Sequence, residues 1–435
     1  MDAPRIVLVI HTTSYGVPPF VEACRKVGAE VIVASDRCHV LDSRWVWPPD
    51  SVVIDFFDVE GSAGVIAGVA GTTTRAVLSV GGETAALVAT AAARRLGLPS
   101  NDPAAVAATG NKLRMRTLCA AAAATGQPVR IPAFFAVALD ADPAVVAGRV
   151  AAELGWPCVI KPLLLSASRG VMRVDDAAGL RAAMARLGRL LSAPALREMD
   201  PVLSRQALLE AFIPGREVAL EALLADGELR RLALFDKPDP LDGPFFEETL
   251  YVTPSRLREA DQRAVMDAVA AATRALGLST GPVHAELRLG RQGPVVIEVA
   301  ARPIGGLCAR TLRFDTGLSL EELIVRQALG QDVRHVLREQ PASGVMMIPI
   351  PAAGILKDAT GVDEARQVSG IEDVVISIKP GERVVPLPEG DRYLGFIFAR
   401  AATPAEVEAA LRAAHARLHF AILPTLPMGD RAPPH

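Results

Sequence analysis

The sequence predicts an α/β protein of three domains: a parallel-sheet domain at the N-terminus, a central domain of α+β character and a smaller C-terminal α+β domain. Its 435 residues amount to about three domains at roughly 150 residues each. Strand-length apolar runs alternate with helical patterns over about the first 100 residues, which is typical of a parallel sheet covered on both faces. Strand patterns dominate from residue 208 to about residue 300. We predict domains at 1–103, 104–337 and 338–435, with the central one divided into 104–207 and 208–337.

The N-terminal domain is predicted from five alternating segments. The patterns indicate strands at 6–10, 30–34 and 76–80 and helices at 20–27 and 84–96. The turns after the first and last of these strands read HTTSYG and GGET, and neither has the glycine spacing of a dinucleotide-binding turn. These turns therefore give no indication of a dinucleotide site.

The central and C-terminal parts change pattern. We expect helices at 104–124, 142–154 and 176–191, a strand at 133–137, an antiparallel pair within 158–174 and a mobile connection at 192–202. Val265, Val269 and Leu276 recur at helical spacing before Gly277, where that helix should end. We expect a linker at 338–344, and a later helix whose N-terminus is a capping box at 403–406.

Composition argues for a small-molecule substrate. Lys plus Arg number 46 against 49 for Asp plus Glu, and the net charge of -3 is spread evenly, so neither nucleic acid nor a membrane is an expected partner. No apolar stretch reaches about 18 residues, so neither a spanning helix nor a signal peptide is expected. The five cysteines have no metal-ligand or disulfide spacing, which favours a cytoplasmic location.

The stretch GPVHAELRLGRQGPVVIEVAARPIGG, residues 281–306, predicts a hairpin with charged side chains on one face. Side chains alternate between the two faces along a strand. The residues that share one face of the first strand are His284, Glu286 and Arg288, and those of the second are Glu298, Ala300 and Arg302.

The register of this hairpin predicts a metal site. If residues 290–294 form the loop, Leu289 pairs with Val295, and Glu286 then faces Glu298. Facing carboxylates repel, so a divalent cation should lie between them, and two carboxylates completed by substrate phosphates are how Mg²⁺ is usually held. The alternative is a solvated sheet face on which the two glutamates splay apart.

The stretch CVIKPLLLSASRGVMRV, residues 158–174, predicts a phosphate-binding strand and loop. Lys161 lies in a strand of otherwise apolar residues, and lysine is rare in this chain, with six against forty arginines. A retained lysine can therefore mark a site that needs a compact ammonium group. The loop that follows, with small side chains and several N–H groups that can cover a triphosphate, contains Ser166, Ser168, Arg169 and Gly170. The alternative is an ordinary hairpin loop beside a surface lysine.

The stretch LLEAFIPGREVALEALL, residues 208–224, is a candidate for contacts with a nucleoside. Glu210 ends an apolar run, Phe212 and Ile213 follow, and Glu217 comes after a Pro-Gly turn. Main-chain groups of such a connection can pair with an adenine edge, while a carboxylate accepts hydrogen bonds from ribose hydroxyls. The alternative is that both glutamates are merely solvated.

Taken in this order, the three stretches resemble the ATP-grasp superfamily over most of the chain. The resemblance implies an ATP-grasp architecture with ATP and Mg²⁺, or alternatively Mn²⁺, as cofactors. It implies phosphate contacts for Lys112, in the helix entry NKLRMR, and for Lys161, with Lys237 in the same region.

The same resemblance assigns the glutamates. Glu210 and Glu217 would surround the adenosine, and Glu286 and Glu298 would bind the metal. The usual family ending E-x-N-P-R is replaced by EVAAR at 298–302, so the amide that usually serves as a third metal ligand is missing.

VHAE together with E-x-A-A-R-x-x-G-G looks most like the L-amino acid ligase branch of this superfamily, and the long C-terminal part agrees. That resemblance implies an ADP-forming ligase that joins a small-molecule carboxylate and an amine, in the form of amino acids, through an acyl phosphate. Arg302 would hold the carboxylate and then the oxyanion. His284 would orient the amine or accept its proton, unless it forms only a structural hydrogen bond. The rival interpretations are a biotin- or purine-type carboxylase and a non-catalytic ATP-binding regulator; a homodimer is a further expectation.

Two glycines follow Arg302 in the sequence Pro303-Ile304-Gly305-Gly306. Because glycine has no side chain, the wall of the carboxylate site can be open here, with room for a bulky substrate. The alternative is that both glycines only satisfy the dihedral angles of a turn.

Overall fold

The N-terminal strands form a parallel sheet flanked by helices. The computed structural model describes residues 3–12, 14, 16–37 and 50–424. The elements here are β1 (Arg5–Ile10), α1 (Val17–Lys26), β2 (Glu30–Ser35), β3 (Ser51–Val53), α2 (Val59–Val69), β4 (Thr74–Ser79) and α3 (Glu83–Arg95). The sheet order is β3-β2-β1-β4 and all its pairs are parallel, which confirms the predicted sheet. Part of the HTTSYG turn, Cys38 and the Pro-rich tail lie outside the described residues.

A second, antiparallel sheet carries the predicted phosphate-binding strand. Two helices, α4 (Pro103–Thr109) and α5 (Lys112–Ala124), lead into it. Its elements are β5 (Phe134–Ala138), α6 (Pro143–Glu153), β6 (Cys158–Pro162), β7 (Met172–Val174), α7 (Ala177–Leu191), α8 (Pro194–Met199) and β8 (Gln206–Ala211), with strand order β5-β8-β6-β7. The connection expected to be mobile at 192–202 thus contains a short helix, which Pro194 opens.

The largest sheet has eight strands and crosses the predicted boundary at residue 337. Its first elements are β9 (Glu217–Ala225), β10 (Glu228–Lys237), β11 (Leu250–Thr253), α9 (Glu259–Leu276), β12 (Gly281–Gly290) and β13 (Gly293–Ala300). The short pair β14 (Arg313–Phe314) and β15 (Leu318–Ser319) then leads into α10 (Leu320–Ala328). Helix α9 ends as predicted, with Gly277 in the left-handed conformation at φ 81°.

Three of the C-terminal strands continue this sheet, and three others form a small separate sheet. The remaining elements are β16 (Ala342–Ile348), β17 (Gly354–Thr360), α11 (Val362–Arg366), β18 (Ile371–Ile376), β19 (Arg383–Val384), β20 (Gly395–Ala401), α12 (Pro404–His415) and β21 (His419–Leu423). The order β13-β12-β9-β10-β11-β16-β20-β18 places β16 inside the sheet, so the linker expected at 338–344 already contains the start of a strand. The capping box at Thr403 and Glu406 is present as predicted. The domain boundaries stay a prediction.

One apolar cluster joins the three parts of the chain. It packs Leu8 and Phe20 of the N-terminal sheet region together with Phe235 of β10, Leu320 of α10 and Phe396 of β20. Burial of large apolar side chains is the main source of stability in such a junction. No helix in the described part of the chain is both long and apolar enough to span a bilayer.

Candidate active site

A cavity of about 400 Å³ lies where these parts of the chain meet. This volume is within the range that small-molecule sites occupy. Twelve of the predicted site residues line it: Lys112, Lys161, Ser166, Ser168, Glu210, Phe212, Ile213, Glu217, His284, Glu286, Glu298 and Arg302. Lys237, Arg169 and Gly170 do not.

The hairpin of β12 and β13 places Glu286 opposite Glu298, as predicted, but by a different route. Gly290 pairs with Gly293, so the loop has two residues, and the predicted loop at 290–294 is wrong. The register shifts by one residue directly after Glu286, as in a β-bulge. The bulge offsets the shorter loop, so the two carboxylates face each other across the pair and both line the cavity.

Lys161 is held by a buried carboxylate on the neighbouring strand. Its Nζ lies 2.7 Å from Glu210 Oε2, and Arg116 Nε lies 2.7 Å from Oε1 of the same residue. Burial by itself raises the pKa of the Glu210 carboxyl, but the charges of Arg116 and Lys161 outweigh that effect and lower it. Both Glu210 oxygens thus lie beside protein cations, which favours a role in positioning Lys161, and the predicted contact with adenosine stays a prediction.

Lys112 connects α5 to the loop after β6 and to the hairpin. Its backbone N–H donates to the Leu163 carbonyl at 3.0 Å, and its ammonium group donates to the Leu165 carbonyl. The same ammonium lies 3.9 Å from Glu298. Lys112 and Lys161 thus reach the cavity from two different elements, beside the facing glutamates.

Some residues of the loop after β6 line the cavity, and others contact the C-terminal part of the chain. Ser166 and Ser168 line the cavity. Arg169 instead donates through Nε to the Glu389 carbonyl at 2.9 Å, and the Gly170 N–H donates to the Pro388 carbonyl at 2.7 Å. These contacts attach the loop to the chain near residue 389 and do not support the prediction that Arg169 and Gly170 bind the cofactor, which stays a prediction.

Lys237 lies at the centre of three carboxylates and outside the cavity lining. Its Nζ is 2.8 Å from Glu217 and 3.2 Å from Glu286, and it also donates to Glu248. Burial by itself lowers the pKa of Lys237, but the three carboxylates raise it well above the usual value. The charge of Lys237 balances these acids, and its predicted place among the cofactor-binding residues stays a prediction. Sequence reasoning missed Glu248, which no motif marks.

Glu217 is likewise engaged within the protein. Besides Lys237, Arg288 binds it, with Nε 3.0 Å from Glu217 Oε2. Arg288 also donates to the Ile213 carbonyl at 2.8 Å, and its guanidinium lies 5.0 Å from the centre of the Phe212 ring. Although Glu217 lines the cavity, its two oxygens already accept from protein cations, which weakens the expectation that it binds ribose.

His284 lies between two carboxylates. Its Nδ1 is 3.0 Å from Glu221 Oε2 and its Nε2 is 3.5 Å from Glu286 Oε1. Burial by itself lowers the pKa of His284, but Glu221 and Glu286 outweigh burial and raise it to about 9. The raised pKa favours the charged form of the ring, and the predicted role as a base stays a prediction. An orienting or structural role fits the geometry.

Arg302 is positioned by a residue of the N-terminal domain. Its Nε and Nη2 donate to Glu83 Oε1 at 3.2 and 3.0 Å, and Nη1 donates to the Pro303 carbonyl at 3.1 Å. Burial by itself lowers the pKa of Arg302, but the charges of Glu83 and Glu298 raise it. Sequence reasoning quoted the GGET turn but did not single out Glu83, because its partner is 219 positions away.

The two glycines after Arg302 differ in their surroundings. Gly306 has φ +62°, and a Cβ atom there would lie 3.1 Å from Phe396 Cε1. Around Gly305 the nearest atom to an added Cβ would be Arg302 Nη1 at 4.0 Å. Gly306 is therefore a glycine that satisfies a turn dihedral angle, and Phe396 occupies the space where its side chain would lie. The open wall is found at Gly305.

We expect Gly306→Ala to lower the free energy of unfolding by at least about 1 kcal/mol, the penalty for a left-handed non-glycine residue, with the contact to Phe396 added. Gly305→Ala is the matched control and should be nearly neutral. Urea denaturation of both variants measures the difference. Equal stability of the two would contradict the assignment of the strained position to Gly306.

Comparisons with known proteins agree with this fold. The ATP-grasp domain model matches residues 154–311, and the model of L-amino acid ligase C-terminal domain 2 matches residues 346–422. Residues 154–311 therefore form a domain of the ATP-grasp superfamily, whose cofactors are generally ATP and Mg²⁺. Within it, the crystal structure of L-amino acid ligase from Bacillus licheniformis covers 97% of this chain and 100% of its own, with a TM-score of 0.81 and 26% identity.

Two curated relatives are also similar. An uncharacterized protein of Sinorhizobium fredii is 28% identical over 340 residues, which is 78% of this chain and 66% of the relative. Alanine–anticapsin ligase of Bacillus subtilis is 27% identical over 188 residues, which is 40% of this chain. The match spans 39% of the length of that ligase.

Proposed function

We propose that this protein is an ADP-forming ligase that joins the carboxylate of one amino acid to the amine of another through an acyl phosphate. One observation carries the proposal: a single cavity is lined by two lysines, by Glu286 and Glu298, which face each other, and by Arg302, which forms an ion pair with Glu83. The similarity to amino acid ligases over nearly the whole chain supports it.

The chemistry requires activation because a carboxylate is negatively charged and has a poor leaving group. Transfer of the γ-phosphoryl of ATP to a carboxylate oxygen breaks the bond to the β-phosphate and releases ADP. The amine then attacks the carbonyl carbon, and phosphate leaves as the amide forms and the amine loses its proton. Lys112 and Lys161 would offset charge on the phosphoryl oxygens, and Arg302 would hold the carboxylate and the oxyanion that develops from it.

Glu286 and Glu298 fit a divalent cation. Both are carboxylates, they stand at directly opposed positions of the hairpin, and both line the cavity beside the two lysines. Mg²⁺ bound to these oxygens would supply positive charge to phosphate groups. We extend the proposal to Mn²⁺, because it accepts the same oxygen ligands.

We expect turnover to convert ATP to ADP and phosphate when the enzyme is given Mg²⁺ and a panel of L-amino acids. Chromatography of the spent nucleotide and mass spectrometry of the products measure both halves of the reaction. AMP and pyrophosphate as the main products would contradict the acyl-phosphate route. ADP release that depends on bicarbonate and not on amino acids would instead support the carboxylase interpretation.

We also propose a cytoplasmic homodimer. The four described cysteines are buried free thiols, as is usual in a reducing compartment. Two-fold homodimers are the commonest oligomers of soluble enzymes. Light scattering after size-exclusion chromatography measures the mass directly and would reveal a monomer.

A further inference from the structure

Glu321 stands apart from the other acidic residues of the cavity. Seven glutamates line the cavity: Glu83, Glu210, Glu217, Glu248, Glu286, Glu298 and Glu321. Each of the first six lies within 4.0 Å of a lysine or arginine nitrogen. Among the described residues, no basic side chain forms such a pair with Glu321.

Burial is the largest influence on the charge of Glu321. The residue is 7% exposed and begins α10 beside Leu320, which also lines the cavity. The nearby wall is apolar and includes Phe20 and Ile324. Burial raises the pKa of Glu321 and outweighs the hydrogen bonds from a backbone N–H and from Ser319 and the attraction of Lys26, all of which lower it. A buried carboxylate without a cation is unfavourable, so a ligand that brings one should bind well here.

The neighbouring residue shows what a purely structural glutamate looks like in this helix. Glu322 accepts a salt bridge from Lys26 at 3.1 Å and completes the capping box of α10 with Ser319. Glu322 does not line the cavity. Helix capping therefore explains Glu322, whereas Glu321 faces the site of the substrates.

We propose that Glu321 binds the ammonium group of an amino acid substrate and so selects amino acids over simple carboxylic acids. The inference rests on the proposed function, since it assigns one polar contact within the same cavity. ATP brings no ammonium group, and the carboxylate pair proposed for the metal lies on the hairpin of β12 and β13, on other elements than α10. With ATP and the metal excluded, the cationic group that can reach Glu321 is the ammonium group of the amino acid substrate. It can be the α-ammonium or a side-chain ammonium.

The test compares Glu321→Gln with the matched control Glu322→Gln in the full-length enzyme. The first substrate pair is the L-amino acid that the panel identifies as the carboxylate substrate, together with the same acid lacking its α-amino group. The second pair is L-lysine and L-norleucine, which differ in the side-chain ammonium. A coupled assay of ADP release gives kcat/KM for each compound with each enzyme. Thermal unfolding reports whether each variant is folded.

We expect Glu321→Gln to reduce the preference for the amino compound by about tenfold or more, mainly through KM, because a charge-assisted hydrogen bond is lost. Glu322→Gln should keep that preference. Loss of preference in the first pair identifies the α-ammonium, and loss in the second the side-chain ammonium. An unchanged preference in both pairs, in a folded and active Glu321→Gln enzyme, would overturn the inference. An inactive wild-type enzyme would instead count against the proposed function.

Discussion

Replacing Glu286 or Glu298 by Gln is expected to lower kcat at least 100-fold at saturating Mg²⁺. The two carboxylates face each other across β12 and β13 and line the cavity beside Lys112 and Lys161. A 100-fold loss corresponds to about 3 kcal/mol of transition-state stabilisation, the scale expected when charge at a metal site is removed. The rate of steady-state ADP release at several Mg²⁺ concentrations measures this loss in kcat.

The control for this pair is Glu228→Gln, an exposed glutamate on β10 of the same sheet. It should retain normal activity. Both cavity variants should remain folded. The ion pair of Glu298 with Lys112 is long, at 3.9 Å, and Lys237 keeps Glu217 and Glu248 when Glu286 is changed. Near-normal kcat in both variants would refute the metal assignment.

Arg302→Ala is expected to lower kcat/KM for the carboxylate substrate by a factor of 100 to 1,000, about the loss seen when one donor to a developing oxyanion is removed. The KM for ATP should change little, because the guanidinium is assigned to the carboxylate and not to the nucleotide. Arg302→Lys keeps the charge but cannot bind a carboxylate in the bidentate way of a guanidinium, so it should restore only part of the activity.

Glu83 provides a way to separate positioning from direct contact. Glu83→Gln leaves the Arg302 guanidinium in place and weakens only the pair at 3.0 Å, so its loss should be smaller than that of Arg302→Ala. The double variant should be no worse than Arg302→Ala alone, since both changes act through one group. A large rise in KM for ATP in Arg302→Ala, with the carboxylate KM unchanged, would contradict the assigned role.

Local patterns in the sequence were sufficient for the elements and for most of the cavity. Alternation of side chains along β12 and β13 predicted one charged face, and an isolated lysine in an apolar strand marked Lys161, which does line the cavity. Helix ends at Gly277 and Thr403 followed from residues close in sequence. These predictions succeed because the side-chain periodicity of a strand and the capping of a helix depend only on near neighbours.

The roles of individual charged residues were decided by the tertiary structure. Glu83 pairs with Arg302 across 219 positions, Arg169 donates to the chain near Glu389 across 220, and Lys237 sits among three acids from separate segments. A motif shows which residue types are present, but the partner that neutralises each buried charge comes from an element brought near by folding. An ion pair depends on distance and burial, and neither is set by separation along the chain. Only the folded structure therefore distinguishes the glutamates that hold a lysine from Glu321, which forms no ion pair within the described part of the chain.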